Sequence, residues 1–254
     1  MIEGAVFDLG STLIRFTGDW QQVMDAGKHQ MTHSLLDSGL ELDTAQLHNA
    51  FDRTWQSNLK QRDVDFIERP MGELLNQVLA ELGHSQVPVA TVDRALERMF
   101  SSSEEYWLPM PGVHEVLKEL RQAGLRLGII SNASDAANVH RLVDKAYLRP
   151  YFDPIIVSAE ERVRKPDTRI FEILLQAWDL PPQRLVMTGD SLPADIVGAR
   201  QVGMYSIWLT ADADTPSNRA VRDEIEPDAI AEELIDVPDI IRRRGIANQQ
   251  EEAQ

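Results

Sequence analysis

The sequence predicts an α/β fold whose parallel sheet is interrupted, after its first strand, by a block of helices. Three observations lead there. Beyond Pro109, short continuously apolar runs alternate with amphipathic stretches, the pattern of strands covered on both faces by helices. From about Trp20 to Tyr106 the apolar period is helical throughout. Carboxylate, hydroxyl or ammonium residues follow several of the apolar runs, and the carboxyl ends of parallel strands are where open sheets bind ligands.

Ile2 to Phe7 is an apolar run closed by a Gly/Ser/Thr turn, which predicts a buried first strand. The helical block follows. Leu47, Phe51, Trp55 and Leu59 share one face, Leu74, Leu75, Val78, Leu79 and Leu82 another, and Val92, Ala95, Leu96, Met99 and Phe100 a third. Four helices are expected, with stops at Gly39, Gly83 and the Ser101-Ser102-Ser103 run, and Asp43 as an N-cap. The alternating part then predicts helix Val113 to Leu120, strand Arg126 to Ile130, helix Asp135 to Tyr147 and strand Pro154 to Val157. Helix Thr168 to Trp178, strand Leu185 to Thr188, helix Ala194 to Val202 ended by Gly203, and strand Tyr205 to Leu209 complete the pattern. A short strand Pro227 to Ile230 and a helix Leu234 to Arg244 are expected last, with a polar, frayed tail over 245–254. The domain reading is a sheet core of residues 1–15 and 109–244 with a helical cap of residues 16–108.

A chain of 254 residues that is 43% hydrophobic suits one large domain, or one domain with an insertion. Its formal net charge of -16 argues against nucleic acid and anionic membrane partners. The same acidity means that a phosphate site must supply its own positive charge. Absence of cysteine excludes disulfides, thiolate zinc sites and a cysteine nucleophile. With no signal-like or membrane-spanning run, a cytoplasmic location is the expectation, as a monomer or a homodimer.

The chemistry concentrates at four places in a fixed order. Asp8 follows the first strand, in the run Phe7-Asp8-Leu9-Gly10-Ser11-Thr12; Ser131-Asn132 follows the second. Lys165-Pro166 comes after the third, and Asp190 ends a later strand within Val186 to Asp195. A carboxylate nucleophile, a hydroxyl, an ammonium and a metal-binding carboxylate are what in-line phosphoryl transfer uses. Asp8 and Asp190 side by side repel unless a cation compensates, and oxygen ligands favour magnesium over softer metals.

Those residues in that order, with the stretches RKPDTRIF from Arg164 and GDSLPADIVGARQVGM from Gly189, resemble the haloacid dehalogenase superfamily. The resemblance covers nearly the whole chain, and the cap inserted after the first strand is similar to that of its subfamily I phosphatases. It implies a Rossmann-like core and a Mg²⁺-dependent phosphatase acting on a small phosphorylated metabolite. It further implies that Asp8 is the nucleophile, forming an aspartyl-phosphate, and a Mg²⁺ ligand. Thr12, Ser131 and Asn132 are implied substrate-binding residues, with Thr12 holding the first loop. Lys165 is implied to neutralise charge between Asp8 and the phosphate. Asp190, the Gly10 carbonyl and Asp195 complete the implied metal site, Asp195 through the metal's water shell or through Lys165.

One position departs from the family pattern. Two residues after the nucleophile, family phosphatases usually carry a second aspartate as general acid and base, and here that residue is Gly10. Proton transfer of this kind is typically worth ~10²- to 10⁴-fold in rate. Arg15, His29 and His33 are near enough in sequence to be considered as substitutes. The departure therefore leaves a second reading open, a phosphate-binding or interaction protein with impaired catalysis. Haloacid dehalogenation needs no metal and so fits the Asp190 site poorly. Phosphonatase chemistry needs a cap lysine, for which Lys28 and Lys60 are the candidates. His29 and His33 also have the i, i+4 spacing of a zinc pair, but a solvated face is the simpler reading. The five tryptophans, and the Arg242-Arg243-Arg244 run, read as packing residues and as complement to a helix dipole.

Overall fold

Strand β1 (Gly4–Phe7) lies in the middle of the sheet because its four residues are all buried and can only be satisfied by strands on both edges. The computed structural model describes residues 1–252, with side chains described as far as Gly245. Strands β4 (Arg126–Ser131), β5 (Ile155–Val157), β6 (Leu185–Gly189), β7 (Tyr205–Leu209) and β8 (Ala229–Ala231) join β1 in a six-stranded sheet ordered β5-β4-β1-β6-β7-β8. Every pairing in it is parallel, so the right-handed crossover helices cover both faces. These are α5 (Val113–Gln122), α6 (Ala136–Lys145), α8 (Thr168–Trp178) and α9 (Val197–Val202), with shorter α7 (Ser158–Glu161) and α10 (Pro216–Val221) between. The expected Rossmann-like α/β core is the observed fold.

The order of strands decides where the chemistry meets. β1 sits between β4 and β6, with Phe7 in register with Ile129 on one side and Thr188 on the other. The residues at or just past these strand ends, Asp8, Ser131 with Asn132, and Asp190, are therefore neighbours on one edge. The Asp8 N–H donates to the Thr188 carbonyl at 3.0 Å, which carries the ladder one residue beyond β1.

Helices α1 (Trp20–Asp37), α2 (Thr44–Asp65), α3 (Met71–Glu81) and α4 (Val89–Glu104) bury their apolar faces against one another around Met31, Leu35, Leu47, Phe51, Leu75 and Leu79. Asp43 caps α2 as expected, accepting from the Gln46 N–H at 2.8 Å. The serine run does not stop α4, which continues to Glu104: the Ser101 and Ser103 hydroxyls donate back to the Arg98 and Phe100 carbonyls within the helix. The first turn of the expected Ala194 to Val202 helix is instead a wider π turn, Leu192–Ile196, which leads into α9.

A short ribbon connects the two parts. β2 (Ile14–Phe16) pairs antiparallel with β3 (Trp107–Pro109), so the chain's exit to the helices and its return lie side by side. Phe16 stacks on Trp20, Tyr106 and Trp107 there, with centroids 5.1 to 5.8 Å apart. The backbone of α11 (Val237–Glu252) runs past the expected end at Arg244; the side chains of 246–252 and the last two residues of the tail lie outside the described residues. No helix among the described residues is long and apolar enough to cross a membrane.

Candidate active site

Each strand end delivers one group. Asp8 is buried, and Lys165 reaches it from the loop after α7 with its Nζ donating to Asp8 Oδ1 at 2.7 Å. The same ammonium donates to the Ile130 carbonyl at 2.6 Å and pairs with Asp195 Oδ1 at 2.7 Å. Three acceptors thus surround a cation that is 2% exposed. The Lys165 loop is itself held by Asn132, whose side-chain amide bridges it: Nδ2 donates to the Lys165 carbonyl and Oδ1 accepts from the Lys165 N–H, both at 2.9 Å. Asn132 therefore positions Lys165 through its side chain.

Asp195 is turned inward. Its Oδ2 accepts from the Ser191 N–H at 2.9 Å, and both of its oxygens have protein partners. A Cβ on Gly189 would fall 2.2 Å from that Oδ2, so only glycine lets the carboxylate pass under the strand end. The backbone of Asp190 is fixed by Trp208 Nε1 and Asn218 Nδ2, which both donate to its carbonyl at 2.8 Å. Among the described residues, no other residue bonds to the Asp190 carboxylate.

The charges do not balance. Oxygens of Asp8, Asp190 and Asp195 lie within 4.8 Å of one another, against the single ammonium of Lys165. Fully ionised, three carboxylates and one ammonium would leave two negative charges in a buried site. Burial, more than the attraction of Lys165, lifts the Asp8 carboxyl to about 6. Burial, then repulsion from Asp8 and Asp195, lifts Asp190 to about 8. Burial acts to lower the Lys165 pKa, but Asp195 and Asp8 outweigh it and hold the ammonium charged. Two unbalanced charges and an unpartnered carboxylate fit a hard divalent cation held by oxygen.

That fit has a pH signature. Without a cation, a carboxyl whose pKa is raised by folding stabilises the folded state at low pH and loses that contribution as pH climbs through about 8. Cation binding needs the ionised form, so its affinity rises over the same window. The rise in melting temperature on adding Mg²⁺ is expected to be larger at pH ~8.5 than at pH ~6. Melting scans across that range check it; a shift that is constant or shrinks with pH would rule the cation out of this cluster.

Above the cluster lies a cavity of about 490 Å³, bounded below by Asp8, Gly10, Ser11, Ser131, Asn132, Lys165 and Asp190. Of the residues that the resemblance implies for the phosphatase site, the structure brings together all except Thr12. Its side chain is fully buried, with an Oγ1 that has no hydrogen-bond partner, and it does not line the cavity. Ser11, whose backbone is left-handed (φ 57°), does line it. Gly10 faces Trp107, whose ring edge would lie 3.5 Å from a Cβ at that position.

None of the suggested substitutes for the missing acid lines the cavity. Arg15 pairs with Asp212 at 2.8 Å, and the His29 ring packs edge-on against His48. Lys28 and Lys60 do not line it either; Lys28 pairs with Asp25 and Asp52. The roof, which the sequence did not reveal, comes from Trp20, Met24, Trp55, Arg62, Phe100 and Trp107. Arg164 and Asp135 were also missed; burial pushes the Asp135 carboxyl up.

A family model described as haloacid dehalogenase-like hydrolase matches residues 2–203. The chain belongs to that family. A glyceraldehyde 3-phosphate phosphatase of Pyrococcus abyssi is 36% identical over 41% of this haloacid dehalogenase-like chain. The aligned stretch is 43% of that relative, so this chain spans less than half of its length. A Methanocaldococcus jannaschii protein of the same name is 24% identical over 82% of this chain and 85% of its own. Among solved structures, a 2-haloacid dehalogenase from Pseudomonas syringae pv. Tomato DC3000 superposes with a TM-score of 0.69 at 23% identity, over 96% of this chain and 99% of that one.

Proposed function

We propose that this chain is a Mg²⁺-dependent phosphatase of a small phosphorylated metabolite. The observation that carries the reading is the pairing of a buried carboxylate, Asp8, with a fully enclosed lysine beneath a cavity, next to a second carboxylate that has no partner. The phosphatase names of the two relatives support it. We take residues 1–15 and 109–244 as the catalytic core and residues 16–108 as a cap roofing the cavity.

In this reading Asp8 is the nucleophile. Lys165 engages Oδ1, leaving Oδ2 as the oxygen without an ionic partner to attack phosphorus. The ester oxygen departs, and water then hydrolyses the resulting aspartyl-phosphate. Ser131, with the Asn132 backbone, binds the phosphoryl oxygens, and the Asn132 side chain keeps Lys165 in place. The carboxylates of Asp8 and Asp190 and the Gly10 carbonyl would hold Mg²⁺, while Asp195 anchors Lys165. When bound, the ion neutralises charge between the anionic nucleophile and the phosphoryl group.

Gly10 offers no proton to the leaving group, and Trp107 packs over the position where a carboxylate would start. Esters with good leaving groups need little protonation, so aryl phosphates are expected to be hydrolysed ~10²-fold faster than simple alkyl phosphates. Gly10→Asp should narrow that ratio by roughly tenfold, as its Cβ makes only ordinary contact with Trp107. Steady-state hydrolysis of an aryl phosphate and a panel of alkyl and sugar phosphates, with and without Mg²⁺, tests both points. Equal rates on the two ester classes would sink the leaving-group argument. A folded protein that binds Mg²⁺ but turns over no ester would favour the second reading, a noncatalytic phosphate-binding protein, which Gly10 alone motivates.

A further inference from the structure

The same cavity carries two guanidinium groups that the phosphoryl chemistry does not use, Arg62 from α2 and Arg164 from the loop before Lys165. They converge on Glu68, which lies fully buried in the connection between α2 and α3. Glu68 Oε2 accepts from the Ser158 hydroxyl at 3.1 Å and lies 3.2 Å from Arg164 Nη1. Arg62 Nη1 stands off at 3.8 Å from Oε1. Buried Arg62 Nε, Arg164 Nη1 and Glu68 Oε1 all lack a hydrogen-bond partner in the protein. Asn58, one turn before Arg62 on α2, is buried with both amide atoms unpartnered.

Within this cluster two guanidiniums against one carboxylate leave one positive charge, in a chain whose formal net charge is -16. Holding the parts together does not require it. The connection is already docked by its backbone, through the Arg164 N–H to the Phe66 carbonyl at 3.0 Å and the Met71 N–H to the Ser134 carbonyl at 2.7 Å. Burial and the nearby Arg164 act against the charge on Arg62, so the arrangement costs stability unless an anion joins it. Arg62 is also oriented, its guanidinium lying over the Trp55 ring at 5.3 Å from the centroid.

We propose that Arg62 and Arg164 form a specificity site for a second anionic group, so that the substrate carries a carboxylate or second phosphate besides the phosphate placed at Asp8. This rests on the phosphatase reading. Planar guanidiniums suit both oxyanions through paired N–H donors, and Arg62 and Arg164 both line the cavity, with Arg62 Nε left without a hydrogen-bond partner in the protein.

The test compares phosphoglycolate, a sugar bisphosphate, methyl phosphate and an aryl phosphate as substrates in Mg²⁺ buffer, for wild type, Arg62→Gln and Arg62→Lys. Wild type is expected to show kcat/KM at least ~10-fold higher for one of the doubly anionic esters than for methyl phosphate, and whichever ester it is names the second group. Arg62→Gln should lose that preference mainly through KM, with Arg62→Lys recovering only part. A binding readout runs beside it: phosphonoacetate should raise the melting temperature more than methylphosphonate in wild type, and equally in Arg62→Gln. Equal losses on every ester in Arg62→Gln, or no preference in wild type despite aryl phosphate turnover, would overturn the anion site and leave the phosphatase reading standing. Discrimination between the phosphonates without turnover of any ester would keep the site and overturn the phosphatase.

Discussion

Asp8→Asn is expected to lower kcat by roughly 10⁴-fold or more on every phosphate ester, because in the proposed function it removes the atom that attacks phosphorus. The substitution is close to isosteric, and the surrounding structure gives reason to expect a folded protein. Lys165 keeps the Asp195 carboxylate and the Ile130 carbonyl as acceptors, and an amide oxygen can replace Asp8 Oδ1 as the third. One ionisable group leaves a cluster that crowds three carboxyls around one ammonium, so the cation-free variant should melt no lower than wild type at neutral pH. Its response to Mg²⁺ should shrink, since a charged ligand has been lost. Steady-state kinetics and melting scans on the same preparations separate these effects. Turnover within about tenfold of wild type would remove Asp8 from the chemistry. A lost activity accompanied by a lost fold would say nothing about the nucleophile, which is why the melting scan accompanies the rate.

The floor of the candidate site was legible in the sequence because it sits where pattern and chemistry coincide. Strands β1, β4 and β6 are buried on both faces and so appear as unbroken apolar runs, and the polar residue that ends each run is forced to the sheet edge. Asp8, Ser131 and Asp190 could be found that way, and Lys165 by its place in the order. The roof could not. Arg62 lies in the run Lys60-Gln61-Arg62-Asp63, which reads as a solvated helix face, and only the fold of the connection carrying Glu68 turns it inward. Arg164 opens the stretch RKPDTRIF that carries the resemblance, but nothing in that stretch says that its side chain lines the cavity. The β2–β3 ribbon is three residues per strand, too short for an alternation to register, and its pairing spans most of the helical block in sequence. Thr12, implied by the resemblance, is buried, while Ser11 with its left-handed backbone lines the cavity, and periodicity carries no sign of which of the two does so.

Lys165→Met should produce the largest loss of stability of any single substitution at the site, along with loss of activity. Methionine fills a similar volume without charge, so packing is largely kept and the electrostatic consequence is isolated. Asp8 and Asp195 would then lie buried with no cation between them, and breaking a buried pair by removing one partner typically costs ~3–5 kcal/mol. For a chain of this size that corresponds to a fall in melting temperature on the order of 10 °C. The loss has a direction in pH. Asp8, which Lys165 otherwise helps keep ionised, relieves the strain by taking up a proton; its folded pKa rises further, so the variant is stabilised at low pH and destabilised as pH increases. The gap from wild type should therefore be smaller at pH ~5 than at pH ~8, and Mg²⁺ should close part of it at the higher pH. Adding Asp195→Asn to Lys165→Met removes one of the stranded charges and should recover part of the melting temperature without restoring turnover. A single variant that melts with wild type at pH ~8 would mean that the three carboxylates do not depend on Lys165 for their burial, and the charge argument for both the lysine and the cation would fall together.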